Sequence, residues 1–177
     1  MKALTHRVLA WRTRQRLKKG GSVARTNIPY YESQKVGLIF SVEDMEKHEA
    51  IKHLVHMLEQ DKKQVTVLSY LPKGKENYEF KFDFFSETSF TLSGNVKSEN
   101  ILNFINTKFD YIFHIDPRCE NIMIDYILVQ SKATCRIGIC ENNKTEFYEL
   151  IYKPTSGKNI KSIVEEVLNY TKALTKV

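Results

Sequence analysis

Phe109-Asp-Tyr-Ile-Phe-His-Ile-Asp116 and Ala133-Thr-Cys-Arg-Ile-Gly-Ile-Cys140 are the two stretches that decide the fold. Each is short, dense and apolar, the composition of a strand covered on both faces. Pro117 and Arg118 break the first run. Ile122, Ile124, Tyr126, Ile127, Leu128 and Val129 follow at mixed spacing, too long a run for a strand and bracketed by breakers, so the spacing predicts a helix. Strand, crossover helix and strand make one βαβ unit, with parallel strands and a right-handed crossover.

The same alternation extends in both directions. Towards the N-terminus, Val36–Phe40 reads as a buried strand. A helix follows from Val42 to about Lys62, with Ile51, Leu54, Val55 and Leu58 as its apolar stripe. Ser41 is the expected N-cap, with Asp44 completing an approximate capping box. Gln64–Leu71 is a second strand, and Phe80, Phe82 and Phe84 alternate with Lys81 and Asp83 as in an edge strand with one wet face. Ser98 opens a helix carrying Ile101, Leu102 and Ile105. Towards the C-terminus, Phe147–Lys153 is a strand, and Ile160, Ile163, Val164, Val167, Leu168, Thr171 and Leu174 form a regular helical stripe with Ser156 as its expected cap. The pattern predicts an α/β three-layer sandwich, Rossmann/flavodoxin-like, with a mainly parallel sheet of about five strands. This domain spans residues 36–177, preceded by a basic helical arm and linker over residues 1–35.

Composition supports one domain. The chain has 177 residues, 42% of them apolar, with ten Phe and nine Tyr to fill a core. No apolar run reaches the ~18 residues that a spanning helix needs, and the charged start lacks the apolar centre of a secretory signal. Cys119, Cys135 and Cys140 are odd in number and without metal-type spacing, which predicts reduced thiols and a cytoplasmic protein.

Charge is distributed unevenly. Residues 1–35 hold nine Lys or Arg against Glu32 alone, and the remaining residues carry slightly more acid than base. Leu4, Val8 and Trp11 share one helical stripe in the arm, ringed by cations, and Gly20-Gly21-Ser22 ends it before an extended linker. Arg7, Arg12, Arg14, Arg16, Lys18, Lys19 and Arg25 can neutralise phosphates while Trp11 stacks on a base, so RNA or a ribonucleoprotein is the expected partner. The same composition also fits an anionic membrane surface, a solubilising tail, a helix docked on the chain's own acidic surface, or a presequence.

A second candidate is the crevice at the strand ends, where open α/β sheets place their ligands. Asp110, His114, Asp116 and Cys119 are its candidate residues, and a Cys–His pair is chemically capable of nucleophilic work. The default reading of His114 is a partly buried histidine bonded to a neighbour. Of His48, His53 and His56 on one predicted helix, His53 and His56 are neighbours at i, i+3 on the face away from the apolar stripe. No third ligand of suitable spacing accompanies them, so no metal is expected. Gly37 and Gly138 fall within strands, where glycine marks close approach. Neither belongs to a phosphate-binding loop motif, and no cofactor is expected.

With these residues placed, Val36 to Thr175 resembles a family of small bacterial α/β proteins of unknown function. The likeness is carried by the Val36–Phe40 strand, the Gly94 turn, Asn106-Thr107-Lys108-Phe109-Asp110, Ser131 to Gly138, Phe147 to Ile151 and the terminal helix. More loosely, Phe109-Asp110 leading into strand, helix and Arg136-Ile137-Gly138 is similar to the N-terminal domain of two-domain GT-B glycosyltransferases such as the heptosyltransferases. Those enzymes use a second domain of similar size to hold the nucleotide sugar, and this sequence shows no counterpart. The expected function is therefore a non-enzymatic module that contacts RNA or a ribonucleoprotein through its arm. The alternatives are a reduced glycosyltransferase-like enzyme domain working near Asp110, His114 and Asp116, and a protein–protein adaptor.

Overall fold

The computed structural model describes residues 2–19, 25, 28–74, 82–140, 144–155 and 157–174. Helix α1 (Lys2–Lys18) precedes strand β1 (Lys35–Ser41). There follow α2 (Met45–Gln60), β2 (Gln64–Tyr70), β3 (Asp83–Phe85), α3 (Glu99–Asn106), β4 (Tyr111–Ile115), α4 (Ile122–Gln130), β5 (Cys135–Ile139), β6 (Leu150–Tyr152) and α5 (Ile160–Lys172). Among the described residues the sheet has six strands, in the order β3-β2-β1-β4-β5-β6. Every pairing is parallel.

Alternation along the strands divides the core in two. Tyr111, Phe113 and Ile115 of β4 pack with Cys135, Ile137 and Ile139 of β5 under α2 and α5. Ile112 of β4 joins the opposite layer, built on α3 and α4. The edge strand β3 departs from the expected phenylalanine register: Phe85 is the inward residue and Phe84 is exposed, while Phe82 packs against the α2/α5 layer. The expectation for Phe80 and Lys81 lies outside the described residues.

Two caps differ from expectation. Asp44, not Ser41, caps α2, its carboxylate accepting from Lys47 N at 2.8 Å. Ser41 instead ends β1, where its donors serve a different partner. Asn159 caps α5 through Ser162 N at 2.8 Å, and Ser156 lies outside the described residues.

The N-terminal helix is the main surprise. It forms an additional layer, packed on the outside of α4. Leu9 is fully buried, and Thr5 and Thr13 flank it on the inward face. This docking explains why Met123 through Val129 of α4 are all buried: the sheet covers one side of that helix and α1 helps to cover the other. Gly94 provides the contact point on the loop before α3. Its φ is +75°, and a Cβ there would come within 2.9 Å of Val8 Cγ1. Arg12 fastens the contact by donating to Gly94 O at 3.1 Å and Asn95 Oδ1 at 2.9 Å. The basic segment expected as a detachable arm is thus seated on its own domain. The expected Gly20–Ser22 terminator and linker residues 23, 24, 26 and 27 lie outside the described residues.

Candidate functional site

Docking leaves α1 with a defined outer face. At 100° per residue, Leu4, Arg7, Trp11, Arg14 and Lys18 fall within one stripe opposite Leu9, and all five are exposed, Trp11 at 61% and Leu4 at 55%. Arg7, Arg14 and Lys18 make no ion pair with a described residue. The expected apolar stripe of Leu4, Val8 and Trp11 is therefore split: Leu4 and Trp11 point outward, while Val8 is half-buried against Gly94. The inward face is built on Leu9, with two threonines beside it, so most of its positions look polar in sequence. Lys19 is exposed just beyond the helix, whereas Arg16 is half-buried.

Two of the predicted nucleic-acid contacts are engaged internally. Arg12 holds the Gly94 turn. Arg25 donates to Ala133 O at 2.6 Å and Ser131 O at 3.1 Å, and its Nε lies 3.7 Å from Glu149. Glu149 in turn makes a bidentate pair with the buried Arg136, at 3.1 and 2.8 Å.

The crevice candidates divide in the same way. Asp110 stands at the opposite end of β4, accepting from Gln34 N at 2.7 Å and Lys35 N at 2.8 Å. The five residues of β4 separate it from Asp116, six steps or about 20 Å at ~3.3 Å per residue, so it takes no part in the crevice. His114, Asp116 and Cys119 do converge, at the carboxyl ends of β1 and β4, where the strand order reverses. Asp116 is the centre. Its carboxylate accepts from Ser41 N at 2.9 and 3.1 Å, Ser41 Oγ at 2.8 Å and His114 Nε2 at 3.1 Å, and it pairs with Lys47 Nζ. Burial opposes ionisation there, but hydrogen bonds and charge from His114 and Lys47 outweigh it and hold the carboxyl below its ordinary value.

Tyr148 closes the network from the far side, with its hydroxyl 2.6 Å from His114 Nδ1. Gly138 makes room for it. The Cys119 thiol donates to Asp116 O at 2.9 Å and lies 3.8 Å from His114 Nδ1. Burial, reinforced by Cys140, pushes the Cys119 thiol up, so the protonated form dominates and no thiolate is presented. Cys119 also has φ of +48°, in the left-handed region that non-glycine residues rarely occupy. The network's chemistry is that of a brace: saturated hydrogen bonds tie the ends of β1 and β4 to α2 and to the loop before α4.

Sequence reading missed Lys47, Ser41, Tyr148 and Asn121. Asn121 caps α4, accepting from Met123 N at 3.0 Å, and donates to Ser41 Oγ at 3.3 Å. Its place between a strand-breaking Pro117 and an apolar helix was a visible N-cap signal. Lys47 carried no such signal, because its reach to Asp116 depends on how α2 crosses the sheet. The helical histidines are dispersed. His48 is buried against Phe82, His53 Nε2 meets Glu165 at 2.9 Å, and His56 meets Gln60 at 3.0 Å. No group of three metal-type ligands occurs among the described residues, nor any helix long and apolar enough to cross a membrane.

Residues 6–174 match a family of unknown function, DUF6913. The chain belongs to this family. The match begins within α1 and ends beyond α5, so most of the docked helix and the whole crevice lie inside the DUF6913 region. No curated protein and no solved structure matches the chain, and the looser likeness to glycosyltransferase N-terminal domains finds no support in these comparisons.

Proposed function

We propose that this DUF6913 protein contacts RNA, alone or within a ribonucleoprotein, through the outer face of α1. One observation carries the reading: Arg7, Trp11, Arg14 and Lys18 are displayed on a single exposed stripe of a helix whose opposite face is anchored by Leu9. With a rise of 1.5 Å per residue, Arg7 and Lys18 stand about 16 Å apart along the axis. That spacing suits several phosphates of one strand, with a base stacked on Trp11 between them. Anchoring also removes much of the ordering cost that a free basic peptide meets on binding.

An anionic membrane surface is the competing partner for such a helix. Leu4 and Trp11 are interrupted by cations on the same stripe, whereas an interfacial helix requires a continuous apolar face to insert. Aromatic and cation side by side match a stacking platform better. The three unpaired, buried cysteines fit a cytoplasmic setting for such a module.

Fluorescence anisotropy of a labelled single-stranded RNA tests the proposal, comparing the wild-type chain with an Arg7→Glu/Arg14→Glu/Lys18→Glu variant across a salt series. The wild type is expected to bind with affinity falling steeply with salt. The variant should lose binding and flatten the log–log slope by about 2, at ~0.7 per phosphate contact on a single strand. Equal binding by the two proteins, or binding only to anionic vesicles, would overturn the proposal.

A further inference from the structure

The brace around Asp116 forms the floor of a cavity of about 610 Å³, and α1 supplies one wall of it. That volume falls in the range of small-molecule sites. The position is the reversal of strand order between β1 and β4, the place where open parallel sheets bind ligands. His6 and Arg7 line it from α1, Ser41 from the end of β1, and Arg118 and Asn121 from the loop before α4. Tyr70, Ile122 and Met123 add an aromatic and apolar portion, while Glu43 and Glu120 add carboxylates.

We infer that this crevice binds one nucleoside monophosphate unit. Three chemically distinct portions of the lining correspond to the three parts of such a ligand. Arg7 and Arg118 offer guanidinium forks for a phosphate. Glu120, with the amide of Asn121, offers acceptors and a donor for ribose hydroxyls. Tyr70 and Met123 offer an aromatic ring and a polarisable thioether for the face of a base. The hydrogen-bonded brace beneath, from Asn121 through Ser41 to Asp116, Lys47 and His114, holds the floor rigid before the ligand arrives. The site stands independently of RNA binding along α1. Because Arg7 belongs to both surfaces, the unit has two sources, a free nucleotide or the terminal nucleotide of a strand lying on α1.

Chemical-shift mapping on the full chain separates these outcomes. AMP, GMP, CMP and UMP are titrated alongside adenosine and inorganic phosphate, and then alongside a short RNA with and without a 5′-phosphate. At least one monophosphate is expected to shift the amides of Ser41, Asn121 and Met123, binding roughly tenfold or more tightly than adenosine or phosphate alone. A response confined to the 5′-phosphorylated RNA would assign the strand-borne source. Ala10→Trp narrows the cavity from the half-buried wall of α1 without touching the sheet core, and it should abolish the response while leaving the anisotropy of a long RNA unchanged. Arg14→Glu, on the outer stripe but away from the cavity, should do the reverse. The inference is overturned if no mononucleotide and no 5′-phosphorylated strand shifts these amides at millimolar concentration, or if Ala10→Trp binds as the wild type does. Loss of long-RNA binding alone would remove the proposed function and leave this inference standing.

Discussion

The ring of Tyr148 lies against the backbone of Gly138, so close that a Cβ built on that glycine would stand 2.8 Å from three ring carbons. This close approach lets the hydroxyl reach His114 Nδ1 at 2.6 Å. A residue that sequence reading could describe only as a strand glycine is therefore the reason a buried tyrosine reaches the crevice network.

Gly138→Ala should displace that ring. Overpacking of this kind costs about 1–3 kcal/mol, and Tyr148→Phe, which keeps the ring and removes the short bond to His114 and the long one to Cys119 Sγ, should cost only about 0.5–1.5 kcal/mol. Urea unfolding of both variants checks the order, and a neutral Gly138→Ala would show that the ring has room to move.

Asp116→Asn should be among the most damaging single changes in the crevice, because it leaves the buried Lys47 ammonium with only the exposed carboxylate of Glu43 as a partner. Removing one partner of a buried pair costs about 3–5 kcal/mol. The effect should depend on pH in one direction. The folded carboxyl titrates below its ordinary value, so ionised Asp116 contributes stability that is fully present above the unfolded pKa of about 3.9 and is lost as pH falls through the folded value. The stability gap between wild type and variant, measured by urea unfolding from pH 7 to pH 3, should be constant at the upper end and shrink below about pH 4.

Leu9→Ala tests the seat of α1. Replacing a fully buried leucine costs about 2–5 kcal/mol where the cavity cannot collapse. Here the loss should appear locally, as faster hydrogen exchange in α1 and along the outer side of α4, with β1, β4 and β5 still protected. Deleting α1 outright should be worse than undocking it, since the apolar back of α4 would be left exposed and association-prone. Light scattering of the truncated chain checks that outcome.

Much of the fold could be read from spacing. Phe109–Asp116 and Ala133–Cys140 contain β4 and β5, and their dense apolar runs fixed a parallel, doubly covered sheet. The docking of α1 was also written in the sequence, though indirectly. A helix as apolar as Ile122–Val129 on all sides needs cover on both, and only one cover comes from the sheet. What misled was α1 itself, where Leu4, Val8 and Trp11 outweigh the threonines around Leu9 in any count of apolar spacing. The exclusion of Asp110 from the crevice needed nothing but strand length. The paths from Lys47 to Asp116 and from Tyr148 to His114, by contrast, join residues far apart in the chain, and no local pattern encodes them.

Trp11 is the single tryptophan of the chain and sits at the centre of the exposed cationic stripe, so its own emission reports on the central claim. Titration of single-stranded RNA at low salt should quench this emission through base stacking, without the blue shift that insertion into a bilayer produces, and added salt should restore it. If the emission stays unchanged at RNA concentrations where the protein is bound, or shifts to the blue with anionic vesicles while ignoring RNA, the outer face of α1 is not an RNA-binding surface.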